Sequence, residues 1–186
     1  MSLRDEVEAF EPECEQEEKD KNEILSWLDS GLDIYSRECT KAHLTASAWI
    51  VSPDKEKILM AYHRLYDSWA WLGGHCDGEK DPRLTALKEV REESGLEHLT
   101  LLSDRIYSLE VLTVDGHENN GTYVSSHIHL NLTYLVEADP CEPVRAKEDE
   151  NAAVRWFSRE DAVAASSEPW FRERVYSKLN RKLAKI

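Results

Sequence analysis

Three glutamates, Glu89, Glu92 and Glu93, stand together in the segment Lys88-Glu89-Val90-Arg91-Glu92-Glu93. If the segment is helical, a turn of about 100° per residue places their side chains within an arc of roughly 100°. Leu87 and Val90 then point to another side, toward a core. Crowded carboxylates repel one another unless something compensates. A hard divalent cation, which takes several oxygen ligands and keeps some waters, is one such compensation. The other is a solvated acidic face balanced by Lys80, Lys88 and Arg91, the usual fate of a charge run. The flanking residues favour the cation. Gly73-Gly74 reads as a tight backbone ahead of the helix, where carbonyls can approach an ion or a phosphate, and Gly95 closes the helix behind.

The elements that must position this face follow from the chain on either side. Asp81 suits an N-cap and Pro82 the first helical position. His43 to Val51 and Lys57 to Tyr62 read as strands joined by the turn Ser-Pro-Asp-Lys-Glu, and Trp69-Ala70-Trp71-Leu72 as a strand end running into the glycines. Leu99 to Val114, His127 to Val136 and Ala153 to Phe157 are further strand candidates, the first two separated by a polar loop over 115–126. A final helix spans about Pro169 to Lys185, with Trp170, Phe171, Val175, Leu179 and Leu183 at near-helical spacing. The first dozen residues are acidic and aperiodic and are expected to be frayed. A helix over about Glu13 to Ser30 follows, with Ile24, Leu25 and Leu28 as its apolar stripe and Gly31 as its stop. Strands in the middle with helices inserted and appended give a mixed α+β class. The expected division is an acidic N-terminal extension over 1–40 and one domain over 41–186.

Charge restricts the partners. The 186 residues include 37 acids against 23 bases, a formal charge of −14. That balance argues against a nucleic acid polymer, whose backbone needs clustered Lys and Arg. It is compatible with a small anionic molecule bridged to carboxylates by a cation. Four cysteines, Cys14, Cys39, Cys76 and Cys141, lie far apart with no paired spacing, so neither disulfides nor a zinc site is expected and a reducing, cytoplasmic setting is the reading. The N-terminus has no apolar segment of the secretory kind, and no apolar run is long enough to span a bilayer.

Other polar residues lie near the glutamates in sequence or in expected structure. His75 follows the two glycines, as a donor to a phosphate site or as polar packing. His127, His129 and Asn131 share one face of a strand, which either lines a substrate cavity or meets solvent, while Ile128, Leu130 and Leu132 take the buried face. His-x-His also suits a transition metal, but no third ligand at a suitable spacing stands out. Tyr66, Trp69 and Trp71 are placed either to stack on a base or to fill a core, and nothing near Cys76 marks it as a nucleophile.

The segment from Gly73 to Leu96 resembles the signature of the MutT-like Nudix hydrolases: G, five residues, E, seven residues, then R-E-U-x-E-E-x-G-U, with U aliphatic. Here the positions read Gly74, Lys80, then Lys88-Glu89-Val90-Arg91-Glu92-Glu93-Ser94-Gly95-Leu96, so seven of nine defined positions match. The departures are Lys80 for the usual Glu and Lys88 for the usual Arg. Lys88 keeps the charge without the two-pronged geometry of Arg, so reduced rather than abolished activity is expected. Lys80 reverses a charge, which the neighbouring Glu79 is placed to restore. The resemblance runs from about His43 to Asp161. It implies an α/β/α sandwich with a mixed sheet whose signature loop and helix cradle Mg²⁺, with Mn²⁺ as a substitute. It also implies that Glu89, Glu92, Glu93 and the carbonyl of Gly73 are metal ligands. Glu150, with Glu148 second, is the later-loop acid such enzymes often add, and the general base is either Glu89 or Glu150. The implied substrate is a nucleoside diphosphate linked to another moiety, or a similar small diphosphate, and a homodimer is among the implied assemblies. Two alternatives stand beside it: a Nudix-fold module that senses a nucleotide without turnover, and a diphosphate isomerase built around Cys76.

Overall fold

A computed structural model describes residues 2–119 and 121–186 of the chain. Two helices come first, α1 (Leu3–Ala9) and α2 (Glu15–Leu28), then strands β1 (Ala42–Val51), β2 (Lys57–His63), β3 (Ser68–Ala70) and β4 (Leu72–His75). Helix α3 (Pro82–Ser94) carries the glutamates. Next are β5 (Leu99–Leu101), β6 (Ser108–Val114), β7 (His117–Asn119), β8 (Thr122–Val124), β9 (His127–Ala138) and β10 (Asn151–Ser158). The chain ends with α4 (Arg159–Ala165), a π-helical stretch (Phe171–Tyr176) and α5 (Ser177–Leu183). The α+β expectation holds.

Eight strands form one mixed sheet with β10, β2, β1, β9 and β5 side by side. β3 pairs with β2, β4 with β1 and β6 with β9. Only β1 and β9 run parallel, in register from Ala42↔Ile128 to Val51↔Glu137, and all ten residues of β1 are buried. One face of the sheet, with Ala48, Ile50, Leu72 and Val136, packs on Val90 and Leu96 of α3 and its end. The other, with Trp49, Val51, Ile58 and Met60, packs on Val175, Tyr176, Leu179 and Leu183 of the C-terminal helices. Trp49 stacks on Tyr176 at a centroid distance of 5.5 Å. Among the described residues, no helix is long and apolar enough to cross a membrane.

Several elements differ from the sequence expectation. Residues 3–9 are helical rather than frayed: Ser2 and Asp5 form a reciprocal cap, and Leu3 and Val7 bury against the core. The helix expected over about Glu13 to Ser30 is present as α2 and packs along the open edge of β6, where Asp20 accepts the Val111 amide at 3.2 Å. The stretch Leu99–Val114 divides into two strands, the polar segment 115–126 contains the β7–β8 hairpin, and the last helix begins with π geometry after a separate α4. Gly73-Gly74 is not a turn: both residues lie in β4, opposite Ser47 and Ala46 of β1.

Candidate active site

Helix α3 starts as its sequence requires. Asp81 accepts the Arg83 amide at 3.1 Å, Pro82 occupies the first turn, and Gly95 ends the helix with φ of 72°. Ala86 and Val90 are fully buried beneath it. Burying one Val-sized side chain is worth about 1.5–3 kcal/mol, whereas a like-charge pair on a helix costs a few tenths. The apolar side therefore dictates the rotation of α3, and the glutamates take the orientation left to them.

That orientation aims Glu89 and Glu93 inward. A Cβ on Gly74 would sit 2.7 Å from the Glu89 carboxylate carbon, so only glycine leaves room for this approach. Glu93 is buried, and its Oε2 accepts the Gly73 amide at 3.3 Å. A strand residue points its N–H and C=O to the same side, so the Gly73 carbonyl leaves β4 on the side where Glu93 sits. Burial pushes the Glu93 carboxyl up to about 8, and the nearby charges of Glu89 and Glu150 add to the effect. Glu89 is also raised, again chiefly by burial, although Lys88 opposes it. Glu92 is exposed at the rim.

Two lysines serve the outer acids. Lys88 Nζ lies 3.2 Å from Glu89 and 3.3 Å from Glu92. Lys147, which no local pattern marks out, lies 2.9 Å from Glu150 and 4.0 Å from Glu92. Glu150 thus faces the cluster across Lys147, while Glu148 is exposed. Lys80 points away: its ammonium pairs with Asp33 at 3.2 Å and covers the Tyr35 ring at 3.9 Å. Glu79 does not replace it, since its carboxylate accepts the Asp81 amide at 3.0 Å in the helix cap.

The residues present suit a hard divalent cation. Two inward carboxylates, a rim carboxylate and an outward carbonyl make an all-oxygen donor set. Glu93 is buried on a backbone amide, and among the described residues no lysine or arginine pairs with it.

His75, His127 and His129 are placed differently. Gly74 faces α3, so by strand alternation His75 faces the other side of the sheet. There His129 Nε2 lies 3.3 Å from His75 Nε2 and 3.2 Å from His127 Nε2. Burial lowers His75 to about 4, helped by Arg37 and His43, and lowers His129 to about 2, helped by His75 and His43. Both rings are therefore neutral at pH 7. The histidine stripe is not a solvent face: His127 and Asn131 are buried, and Asn131 bonds Glu110, Thr133, Thr45 and Ser47. Trp69 and Trp71 pack against the core, and Tyr66 is exposed. Cys76 is buried with its thiol raised to about 11, chiefly by burial, the opposite of an activated nucleophile.

A family model described as the NUDIX domain matches residues 41–179, and the chain belongs to the Nudix family. That family's hydrolases cleave phosphoanhydride bonds. The chain is 29% identical over 122 residues to the CMP-5'-(N-acetyl-N-hydroxy-3-aminopropyl)phosphonate hydrolase of Streptomyces rubellomurinus, a match spanning 63% of this chain and 53% of that protein. The chain thus spans about half the length of this curated relative. Among solved structures it resembles a C. elegans Ap4A hydrolase complex, with TM-score 0.55 and 20% identity over 76% of this chain and 95% of the other. It also resembles the Nudix hydrolase RenU of M. smegmatis, with TM-score 0.56 and 17% identity over 77% and 87%. A third is a MutT protein of Methanosarcina mazei, with TM-score 0.55 and 17% identity over 76% and 95%. At these identities the three structures speak for the fold.

Proposed function

We propose that the chain hydrolyses the phosphoanhydride bond of a nucleoside diphosphate linked to another moiety, with magnesium, or manganese in its place, held at the α3 glutamates. The observation that carries this reading is the placement of two acids at β4: Glu93 is buried on the Gly73 amide with no lysine in contact with it among the described residues, and Glu89 lies against Gly74. The ligands would be Glu89, Glu92, Glu93 and the carbonyl of Gly73. When bound, magnesium offsets charge on the phosphate oxygens and acidifies water. The relative whose name joins CMP to a phosphonate supports a nucleotide carrying a second moiety as the substrate class.

The protein's own groups supply the proton transfer. A water oxygen forms the new bond to phosphorus, the P–O bond to the bridging oxygen breaks, and the departing phosphate keeps that electron pair. The water proton passes to a carboxylate. Glu89 is one candidate acceptor, in a state in which it is free of direct ligation, and burial raises its carboxyl above the usual range. Glu150, paired with Lys147 at 2.9 Å, is the second candidate. Lys88 and Lys147 hold Glu92 at the rim, where it would meet the incoming phosphates.

The same lysines favour a second reading, a nucleotide-sensing module whose outer acids are neutralised internally. One assay separates the two. The protein is incubated with Mg²⁺ and a panel of nucleotide sugars, dinucleotides, ADP-ribose and nucleoside triphosphates, and nucleotide or phosphate release is measured. Turnover that Glu92→Gln lowers by about 100-fold or more supports hydrolysis, the scale on which lost charge stabilisation acts. Binding without turnover across the panel supports the sensor.

A further inference from the structure

Four histidines converge on the face of the sheet turned away from α3, and the proposed hydrolysis uses none of them. His43 and His129 are register partners across the parallel pair β1 and β9. His75 on β4 lies opposite Thr45, two residues along β1 on the same face as His43. His127 precedes His129 by two residues on β9, again on this face. Ring nitrogens of His43, His75 and His129 all lie within 4.8 Å of one another. The ring centroids of His43 and His127 are 4.9 Å apart, and both residues are buried.

Counting protons shows what the cluster lacks. His43 Nδ1 is 3.1 Å from the Cys39 carbonyl, and a carbonyl only accepts, so the proton sits on Nδ1 and Nε2 keeps its lone pair. That Nε2 is buried without a hydrogen-bond partner. His127 Nδ1 likewise donates to the Ser125 carbonyl at 2.9 Å, which turns a second Nε2 lone pair toward His129. A proton on His129 Nε2 can serve His127. His75 Nε2, 3.3 Å from that same atom, then either sets N–H against N–H or adds a second unanswered lone pair to that of His43. No arrangement of neutral rings satisfies all four, and burial opposes making one of them cationic.

We propose that His43, His75 and His129 form a transition-metal site, for an ion of the zinc class, separate from the glutamate cluster, with His127 packed against His129 beside it. Imidazole nitrogens suit zinc, cobalt, nickel and copper, whereas magnesium takes oxygen. Bonds of about 2.0–2.1 Å to zinc set neighbouring tetrahedral nitrogens ~3.3 Å apart. The His75 and His129 Nε2 atoms, 3.3 Å apart, already stand at that spacing. The backbone carbonyl behind His43 holds its ring in the tautomer that presents Nε2, the usual outer support of a ligating histidine. The ion ties β9, β1 and β4 together, and β4 is the strand whose glycines meet Glu89 and Glu93.

The test is metal binding by the whole chain, independent of turnover. Metal-free protein is titrated with Co²⁺ under visible absorption, and with Zn²⁺ by calorimetry in excess Mg²⁺. One equivalent of Co²⁺ is expected to give the intense bands of a tetrahedral nitrogen environment, unmoved by Mg²⁺. His43→Ala and His129→Ala are each expected to weaken Zn²⁺ binding by about 100-fold, and His127→Gln by about 10-fold. The double variant Glu92→Gln/Glu93→Gln should bind Zn²⁺ as tightly as the parent. Absence of stoichiometric Zn²⁺ or Co²⁺ binding to the unmodified chain overturns the site. So does binding that survives in folded histidine variants, or that is lost in the glutamate variant. Should a histidine variant fail to fold, the Co²⁺ spectrum of the unmodified chain decides the matter.

Discussion

Two groups of buried glutamates sit on opposite faces of the same sheet, and their surroundings push them in opposite directions. Glu17 of α2 and Glu110 of β6 are fully buried with Lys178 of α5, whose ammonium is 2.9 Å from Glu110 and 3.4 Å from Glu17. Lys182 also reaches Glu17, at 2.5 Å. Burial alone would raise Glu17, but Lys178, the Glu13 amide and Lys182 outweigh it and hold its carboxyl below the usual range. Glu93, also buried, accepts a hydrogen bond from the Gly73 amide, has no ion-pair partner among the described residues, and is raised to about 8. A buried acid that brings its cations with it joins elements together: here Glu17, Glu110 and Lys178 link α2, β6 and α5. A buried acid left short of positive charge is poised to take it from outside.

The largest effect should come from breaking the balanced group. Lys178→Met leaves Glu110 without its cation, and a loss of about 3–5 kcal/mol is expected in urea denaturation, with the hydrolysis rate per folded molecule retained. A loss below about 1 kcal/mol would mean that the two groups do not differ as described.

Glu93→Gln should act in the opposite sense. In chelator, the folded chain holds the Glu93 proton up to about pH 8, while the unfolded chain releases it near the ordinary value of 4.5. The folded state therefore binds more protons across that window, and stability falls as pH rises through it. Glu93→Gln is expected to remove the slope and to stabilise the metal-free protein at pH 8 by about 1–3 kcal/mol, while hydrolysis is lost. Equal slopes in the two proteins would contradict the assignment.

Magnesium offers a milder contrast. At a hundredfold excess over its dissociation constant it should stabilise the parent by about 2.7 kcal/mol in thermal melts, and stabilise Glu93→Gln much less. Magnesium stabilisation that is unchanged in Glu93→Gln would place the ion elsewhere.

The smallest effect belongs to Lys80→Glu. Its ammonium is spent on Asp33 and Tyr35 at an exposed position, so a change in rate below about twofold and a stability loss of about 0–1 kcal/mol are expected. A large gain in rate would show instead that the signature loop is compromised by this lysine.

The cap at Asp81, the stop at Gly95 and the shared face of the three glutamates were legible because each depends on neighbours within one or two turns. Leu3, Val7 and Phe10 carried a helical spacing too, but in so short an acidic segment it counts only once a core exists to receive it. Gly73-Gly74 looked like a turn because two glycines punctuate most chains. Their extended course follows from pairing with β1, a contact nearly thirty residues away in sequence.

The class of chemistry is written locally in the chain: carboxylates at helical spacing between glycines, an excess of acid, and the Nudix signature. It could not say which carboxylates are buried, because Glu92 and Glu93 are adjacent and only the packing of α3 turns one to the rim and the other inward. Nor could it assemble the histidines. His127 and His129 were visible as a pair, but His43 and His75 join them through strand register, and register is decided by tertiary pairing over tens of residues.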